Sequence, residues 1–230
     1  MQPEINYRLL KLLEEPPAGT TLVLTSAEPG RLLPTIRSRT TRIHLPPLTA
    51  GEVREFLLAE ARVDEATASR AAGRAGGSIG RALGFLDDGD DPGPLEQIRR
   101  QALRLLSAAL AREPAGWAGA ALSFKPVGAR GLRDLFDFLE ESLEELARVA
   151  SGLPLQGAPE AEFRFFREVV ERWKIQPPYL PPALEHVERA RTLAEGNVNP
   201  QLVVFGLLHE LREELVRTTP DQAQGRQHGS

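Results

Sequence analysis

Apolar positions along the chain change their period near residue 46. Before it they come in short continuous runs, Thr21-Leu22-Val23-Leu24-Thr25 and Arg42-Ile43-His44-Leu45. An unbroken apolar run is the pattern of a strand covered on both faces, as in a parallel sheet between helices. Asn6 to Glu15 reads as a helix that Pro16-Pro17 stops, and Leu33 to Arg39 as a second, short helix ending in an exposed arginine. Helix, strand, helix, strand is the order of an α/β domain built on strand-crossover-strand units. Two parallel strands make no stable sheet alone, so further strands are expected from a preceding segment or another chain. Without them, residues 1–46 are expected to pack poorly.

After Pro46-Pro47 the period becomes helical. Thr49-Ala50-Gly51-Glu52 is a capping box, in which the threonine and the glutamate three residues on each satisfy a free amide at the helix start. Val53, Phe56, Leu57 and Ala61 then share one face. Asp64 caps a second helix through Arg74, and Gly76-Gly77-Ser78 ends it and caps a third over Ile79 to Asp87. These three helices form a small domain, 47–90, bounded by the acidic, Pro/Gly-rich stretch Asp87 to Pro94.

From Leu95 onward the pattern is helical almost throughout. Ile98, Leu103, Leu105, Leu106 and Leu110 mark a long amphipathic helix, followed by a short one around Trp117 to Phe124. Leu132 to Ser151 carries Leu135, Phe136, Phe138, Leu139, Leu143 and Leu146 toward a core, and Glu160 to Lys174 carries Phe163, Phe166, Val169, Val170 and Trp173. Pro177 to Pro182 breaks the chain before a helix over Ala183 to Glu195. Asn199 caps a last helix, Gln201 to Val216, with Pro200 at its first position. The polar tail, 218–230, is expected to be disordered.

Composition narrows the function classes. The chain has 230 residues, of which 41% are hydrophobic, enough for one or two cores. A net charge of −4 and a pI near 5.7 do not call for nucleic acid as a directly gripped partner. The absence of cysteine removes disulfides and thiolate metal sites. No apolar run is long enough to cross a bilayer and no signal peptide is recognisable, so the expected location is the cytoplasm, with no membrane partner.

Asn6 to Pro17, the Glu28-Pro29 turn and above all Leu33-Pro34-Thr35-Ile36-Arg37-Ser38-Arg39 resemble the AAA+ subunits of the bacterial DNA polymerase III clamp loader. Asn197-Val198-Asn199-Pro200-Gln201-Leu202-Val203 resembles the C-terminal collar of its delta-prime-like members. The resemblance implies a chain in three parts: the C-terminal part of an AAA+ α/β domain over 1–46, a three-helix lid domain over 47–90, and a mainly α collar for oligomerisation over 94–217. In the family a phosphate-binding Gly-rich loop and an acidic metal-binding strand precede the point where this chain begins, so the chain is expected to be N-terminally truncated. No G-x-x-x-x-G-K-[ST] occurs in its sequence.

The same resemblance singles out Arg39, with Ser38, as the family's Ser-Arg motif, whose arginine reaches the γ-phosphate of ATP held by a neighbouring subunit. A guanidinium suits that role because it is always charged and its planar fork meets phosphate oxygens bidentately. By spacing alone, the favoured reading of Arg39 is an arginine that complements a helix C-terminus. Thr40 stands where the family has cysteine, and Ser38 has no histidine or lysine base in a recognisable relation to it, which argues against a nucleophile. Ala27 occupies the polar sensor-1 position, and Gly80 the sensor-2 arginine position, with Arg81 displaced by one residue, about 100° around a helix. The expectation is therefore a non-enzymatic, delta-prime-like subunit with no cofactor of its own. ATP and Mg would be bound by neighbouring gamma/tau subunits, with the delta subunit, the sliding clamp and primer-template DNA as further partners. The alternatives are a truncated gamma/tau ATPase and a helical scaffold with no nucleotide role.

Other chemistry is sparse. His44, His186, His209 and His228 share no ligand spacing, and Asp87 to Asp91 lacks the closing glutamate of a calcium loop. Phe163, Phe166 and Trp173 read as core, with Phe165 off their face as a candidate subunit contact, alongside the candidate interface charges Arg130, Arg189 and Arg191.

Overall fold

The computed structural model describes residues 10–26, 29–89, 91–111, 114–124, 128–155, 160–196 and 198–216, and over them the chain is mostly helical. It divides into two units, Met1–Pro46 and Pro47–Ser230.

In the first unit, helix α1 is described over residues 10–14 and gives way at Pro16-Pro17 to a turn with Gly19 at φ +76°. A 3₁₀ turn, Pro29–Arg31, leads to the short helix α2 (Pro34–Arg37). Pro34 stands in its first turn, where a missing N–H costs no hydrogen bond. Residues 21–25 and 42–45 adopt no regular secondary structure, and among the described residues there is no strand, which corrects the expectation of two. Their apolar side chains are left in solvent, with Val23 82%, Ile43 80% and Leu45 84% exposed. A strand exists only through a ladder to a neighbour, and an apolar run supplies the side chains for such a ladder without supplying the neighbour. Ile36 is the buried residue among those described in this unit.

The second unit opens with α3 (Ala50–Phe56). The Glu52 amide donates to Thr49 Oγ1 at 3.2 Å and the Thr49 amide to Glu52 Oε2 at 2.7 Å, so the capping box closes as read. The helix runs on as a π-helical turn, Leu57–Ala61, until Arg62 at φ +55° breaks it. α4 (Glu65–Arg74) is capped by Asp64, which accepts from the Thr67 amide at 3.0 Å. Gly76 and Gly77 turn the chain through positive φ, and Ser78 caps α5 (Ile79–Gly84). That helix ends earlier than Asp87, and Gly93 packs onto the backbone of Gly84 to Leu86 just past its end. Asp88 and Asp91 then exchange backbone hydrogen bonds across a tight turn.

Six helices follow: α6 (Pro94–Ala109), α7 (Pro114–Leu122), α8 (Ala129–Ala150), α9 (Glu160–Trp173), α10 (Leu180–Ala194) and α11 (Pro200–Val216). α8 is the centre, with α6, α9 and α10 packed against it, while α11 packs on α10, α7 and α6. Its core stripe is the expected one: Leu135, Phe136, Phe138, Leu139, Leu143 and Leu146 are all buried. Each such side chain contributes about 1.5–3 kcal/mol through removal from water. α10 begins at Leu180 rather than Ala183, because Pro181 and Pro182 fall in the first turn, where prolines fit a helix. Phe165 is partly buried against the core, edge-on to Phe166 at 5.2 Å, so the apolar face of α9 is broader than the strict spacing implied. Among the described residues no helix is long and apolar enough to cross a membrane. The tail, 218–230, lies outside the described residues, as do Asn6, Ala27, Glu28, Asn197 and His228.

Candidate functional site

The Ser-Arg pair sits at the end of α2. Four residues of helix leave their carbonyls without intrahelical partners, and the side chains that follow fill the gap. Ser38 Oγ donates to the Thr35 carbonyl at 3.2 Å and Thr40 Oγ1 to the Ile36 carbonyl at 3.0 Å. Arg39 curls back over the same end: one terminal nitrogen donates to the Thr35 carbonyl at 3.0 Å and to Ser38 Oγ at 3.3 Å. The other lies 2.6 Å from the Glu14 carboxylate, at the end of α1. The guanidinium therefore complements a helix terminus and pairs within its own unit, while its side chain stays 36% exposed. Ser38 is bonded to backbone and to Arg39, which gives it no base and fits a structural part in the motif.

A second concentration of charge lies in the other unit. Glu96 on α6, only 8% exposed, receives Arg74 from the end of α4 at 3.0 Å, Arg99 at 3.2 Å and Arg100 at 2.8 Å. Arg74 also reaches Glu162 of α9 at 3.3 Å, and Arg99 pairs with the same carboxylate. Burial acts to raise the Glu96 pKa, but the hydrogen bond from Arg100 and the charges of Arg99 and Arg74 outweigh it and hold the carboxyl below its usual range. Glu145 on α8 is the opposite case: burial, then the neighbouring Glu162 charge, pushes it up to about 7. Glu141, one turn earlier, is also raised, first by burial.

Arg81, on α5, turns onto α8. It pairs with Glu141 at 2.9 Å and reaches Asp137 at 3.9 Å, with its guanidinium 5.3 Å from the centre of the Phe138 ring. Arg191 of α10 pairs with Asp137 and Glu140 of α8, and Arg189 lies 3.4 Å from Glu210 of α11. His186 also faces Glu210, at 3.2 Å, and His209 stacks on Trp117. Among the described residues no group of three or more histidines and carboxylates is placed to hold a metal ion. Sequence reasoning missed the Glu96 cluster. The spacing Glu96, Arg99, Arg100 was a legible helical signal, whereas the Arg74 and Glu162 pair, 88 residues apart, left none.

Fold and charge together define a mostly helical protein with an arginine displayed at a helix end in a separate N-terminal unit. Residues 1–49 match the family described as DNA polymerase III, delta subunit, so the unit that carries Ser38 and Arg39 is similar to a clamp-loader component. No curated protein matches the chain.

Proposed function

We propose that the chain is a non-catalytic, delta-prime-like subunit of a DNA polymerase III clamp loader, and that Arg39 completes the ATP site of a neighbouring subunit. The carrying observation is the family match over 1–49, which contains the whole Ser38-Arg39 segment. The exposure of the guanidinium supports the role. Its pair with Glu14 is a surface ion pair, a class that contributes about 0.2–1 kcal/mol, so a triphosphate carrying several charges outcompetes it. Arg81, displaced by one residue from the sensor-2 position of the resemblance, is engaged by α8, which favours a subunit that assists hydrolysis over a gamma/tau ATPase. In this reading α6–α11 serve as a collar, α3–α5 as the lid, and ATP and Mg belong to the neighbours. Clamp and primer-template DNA are engaged through the assembly.

The test is a clamp loader reconstituted with this chain and its ATPase partners. Arg39→Ala is expected to lower DNA-stimulated ATP turnover by at least about 10³, the low end for arginines supplied in trans. Arg39→Lys should recover little, because an ammonium lacks the planar fork. An Arg39→Ala complex that assembles and turns over at the wild-type rate would leave the scaffold reading in its place.

A further inference from the structure

Ion pairs concentrate at the junction where α4 and α5 meet α6, α8 and α9. Two arginines hold the three-helix segment there. Arg74, the last residue of α4, bridges Glu96 and Glu162, and Arg81 of α5 bridges Glu141 and Asp137. Glu96 and Glu162 have side chains only 10% exposed, so these are not loose surface pairs. Among the described residues Glu145 has no hydrogen bond or ion pair. It lies one turn from Glu141 on α8, which packs against α6 and α9, and it is within electrostatic reach of Glu162 of α9, Arg99 of α6 and Arg74 of α4.

We propose that this cluster is a charge-gated latch: it fixes α3–α5 onto the helices that follow, and a negative charge on Glu145 loosens it. The geometry supplies the mechanism. An ionised Glu145 repels Glu162 and Glu141 and competes with Glu162 and Glu96 for Arg99 and Arg74, the two cations that bridge the helices. A neutral Glu145 leaves two buried carboxylates to be satisfied by Arg74, Arg99 and Arg100. α10, the other helix packed on α8, contributes Arg191, which is taken by Asp137 and Glu140 about two turns away.

The direction of the pH dependence follows. The Glu145 carboxyl is raised to about 7 in the latched state, so between its ordinary value of 4.5 and about 7 the latched form holds a proton that the open form releases. The latch is therefore strongest below this window and weakens as pH rises through it. If the open form titrates at the ordinary value, the open fraction grows about tenfold between about pH 6 and pH 8.

Hydrogen exchange of the full chain reads this directly, as protection factors corrected for intrinsic rates. The amides of α3–α5 should lose about tenfold in protection from about pH 6 to pH 8, while those of α11 hold steady. Glu145→Gln should abolish the pH step and retain the protection seen at the lower pH. Arg74→Met should lower α3–α5 protection at both pH values. Equal losses in α3–α5 and α11, a flat wild-type profile, or an unchanged step in Glu145→Gln would overturn the latch. Should Glu145→Gln not fold, the carbon-13 carboxyl titration of Glu145 in the wild type decides: a midpoint near 7 supports the latch, and one near 4.5 overturns it.

Discussion

Three glycines within five residues of one another, Gly73, Gly76 and Gly77, permit a graded test of how the three-helix segment is closed. Gly73 lies exposed within α4, and a Cβ there would meet nothing within 4 Å. Alanine at this position removes unfolded-state freedom and is expected to stabilise by about 0.5–1 kcal/mol. Gly76 has φ +56° with open space around it, so alanine costs only the left-handed backbone, about 1–2 kcal/mol. Gly77 combines φ +79° with crowding: a Cβ would stand 2.4 Å from the Leu48 carbonyl oxygen and 2.6 Å from the Pro47 Cβ. Its own carbonyl accepts from the Leu48 amide at 3.1 Å, so the chain entering α3 is pinned against this turn and has little room to retreat. Adding about 1–3 kcal/mol for overpacking brings Gly77→Ala to about 2–5 kcal/mol, with about 3 kcal/mol near the middle of that range. At this chain length that lowers Tm by roughly 6–12 °C. Thermal and urea unfolding of the three variants should rank them Gly73→Ala above wild type, then Gly76→Ala, then Gly77→Ala. Equal losses for the last two would refute the close approach of Pro47 and Leu48 to the turn.

Phe136→Ala empties a fully buried site on α8 and should cost about 3–5 kcal/mol, measured by urea unfolding. Glu96, held below its usual range, stabilises the fold above its ordinary value of 4.5, and that contribution is lost as pH falls through its lower folded value. Urea midpoints between about pH 5 and pH 2.5 should therefore fall in the wild type and fall less in Glu96→Gln, which starts lower at neutral pH.

The helical part was legible because its signals are local. Thr49 with Glu52, Asp64, Ser78 and Asn199 each make the cap their residue type suggests, since a cap needs only a side chain and an amide two or three residues on. The stripe on α8 was legible for the same reason: one helix presents one face, and the period is written in consecutive residues. The first turn of α10 was not legible, because proline breaks a helix in its interior yet fits its first turn, and only the structure shows which applies to Pro181 and Pro182. The Glu96 cluster draws on α4, α6 and α9, and nothing in the local pattern records which helices meet. The two expected strands failed on the same ground, for their partners lie outside the pattern that predicts them.

Arg39 brings both kinds of information together. Its residue type and its place at the end of a short helix were plain in the sequence, yet what it does depends on which oxygen it meets. Within the chain it meets the Thr35 carbonyl and the Glu14 carboxylate, both in contact with water, where an ion pair is worth about 0.2–1 kcal/mol. A phosphate at a drier subunit boundary offers charge-assisted bonds of about 1.5–3 kcal/mol each. Under the proposed role, the same fork would cap its own helix when the boundary is empty and leave it when a nucleotide arrives. Glu14→Gln should then ease that release. In the reconstituted complex it is expected to keep or modestly raise turnover where Arg39→Ala abolishes it, and a loss matching Arg39→Ala would show that Glu14 helps the arginine to act and does not restrain it.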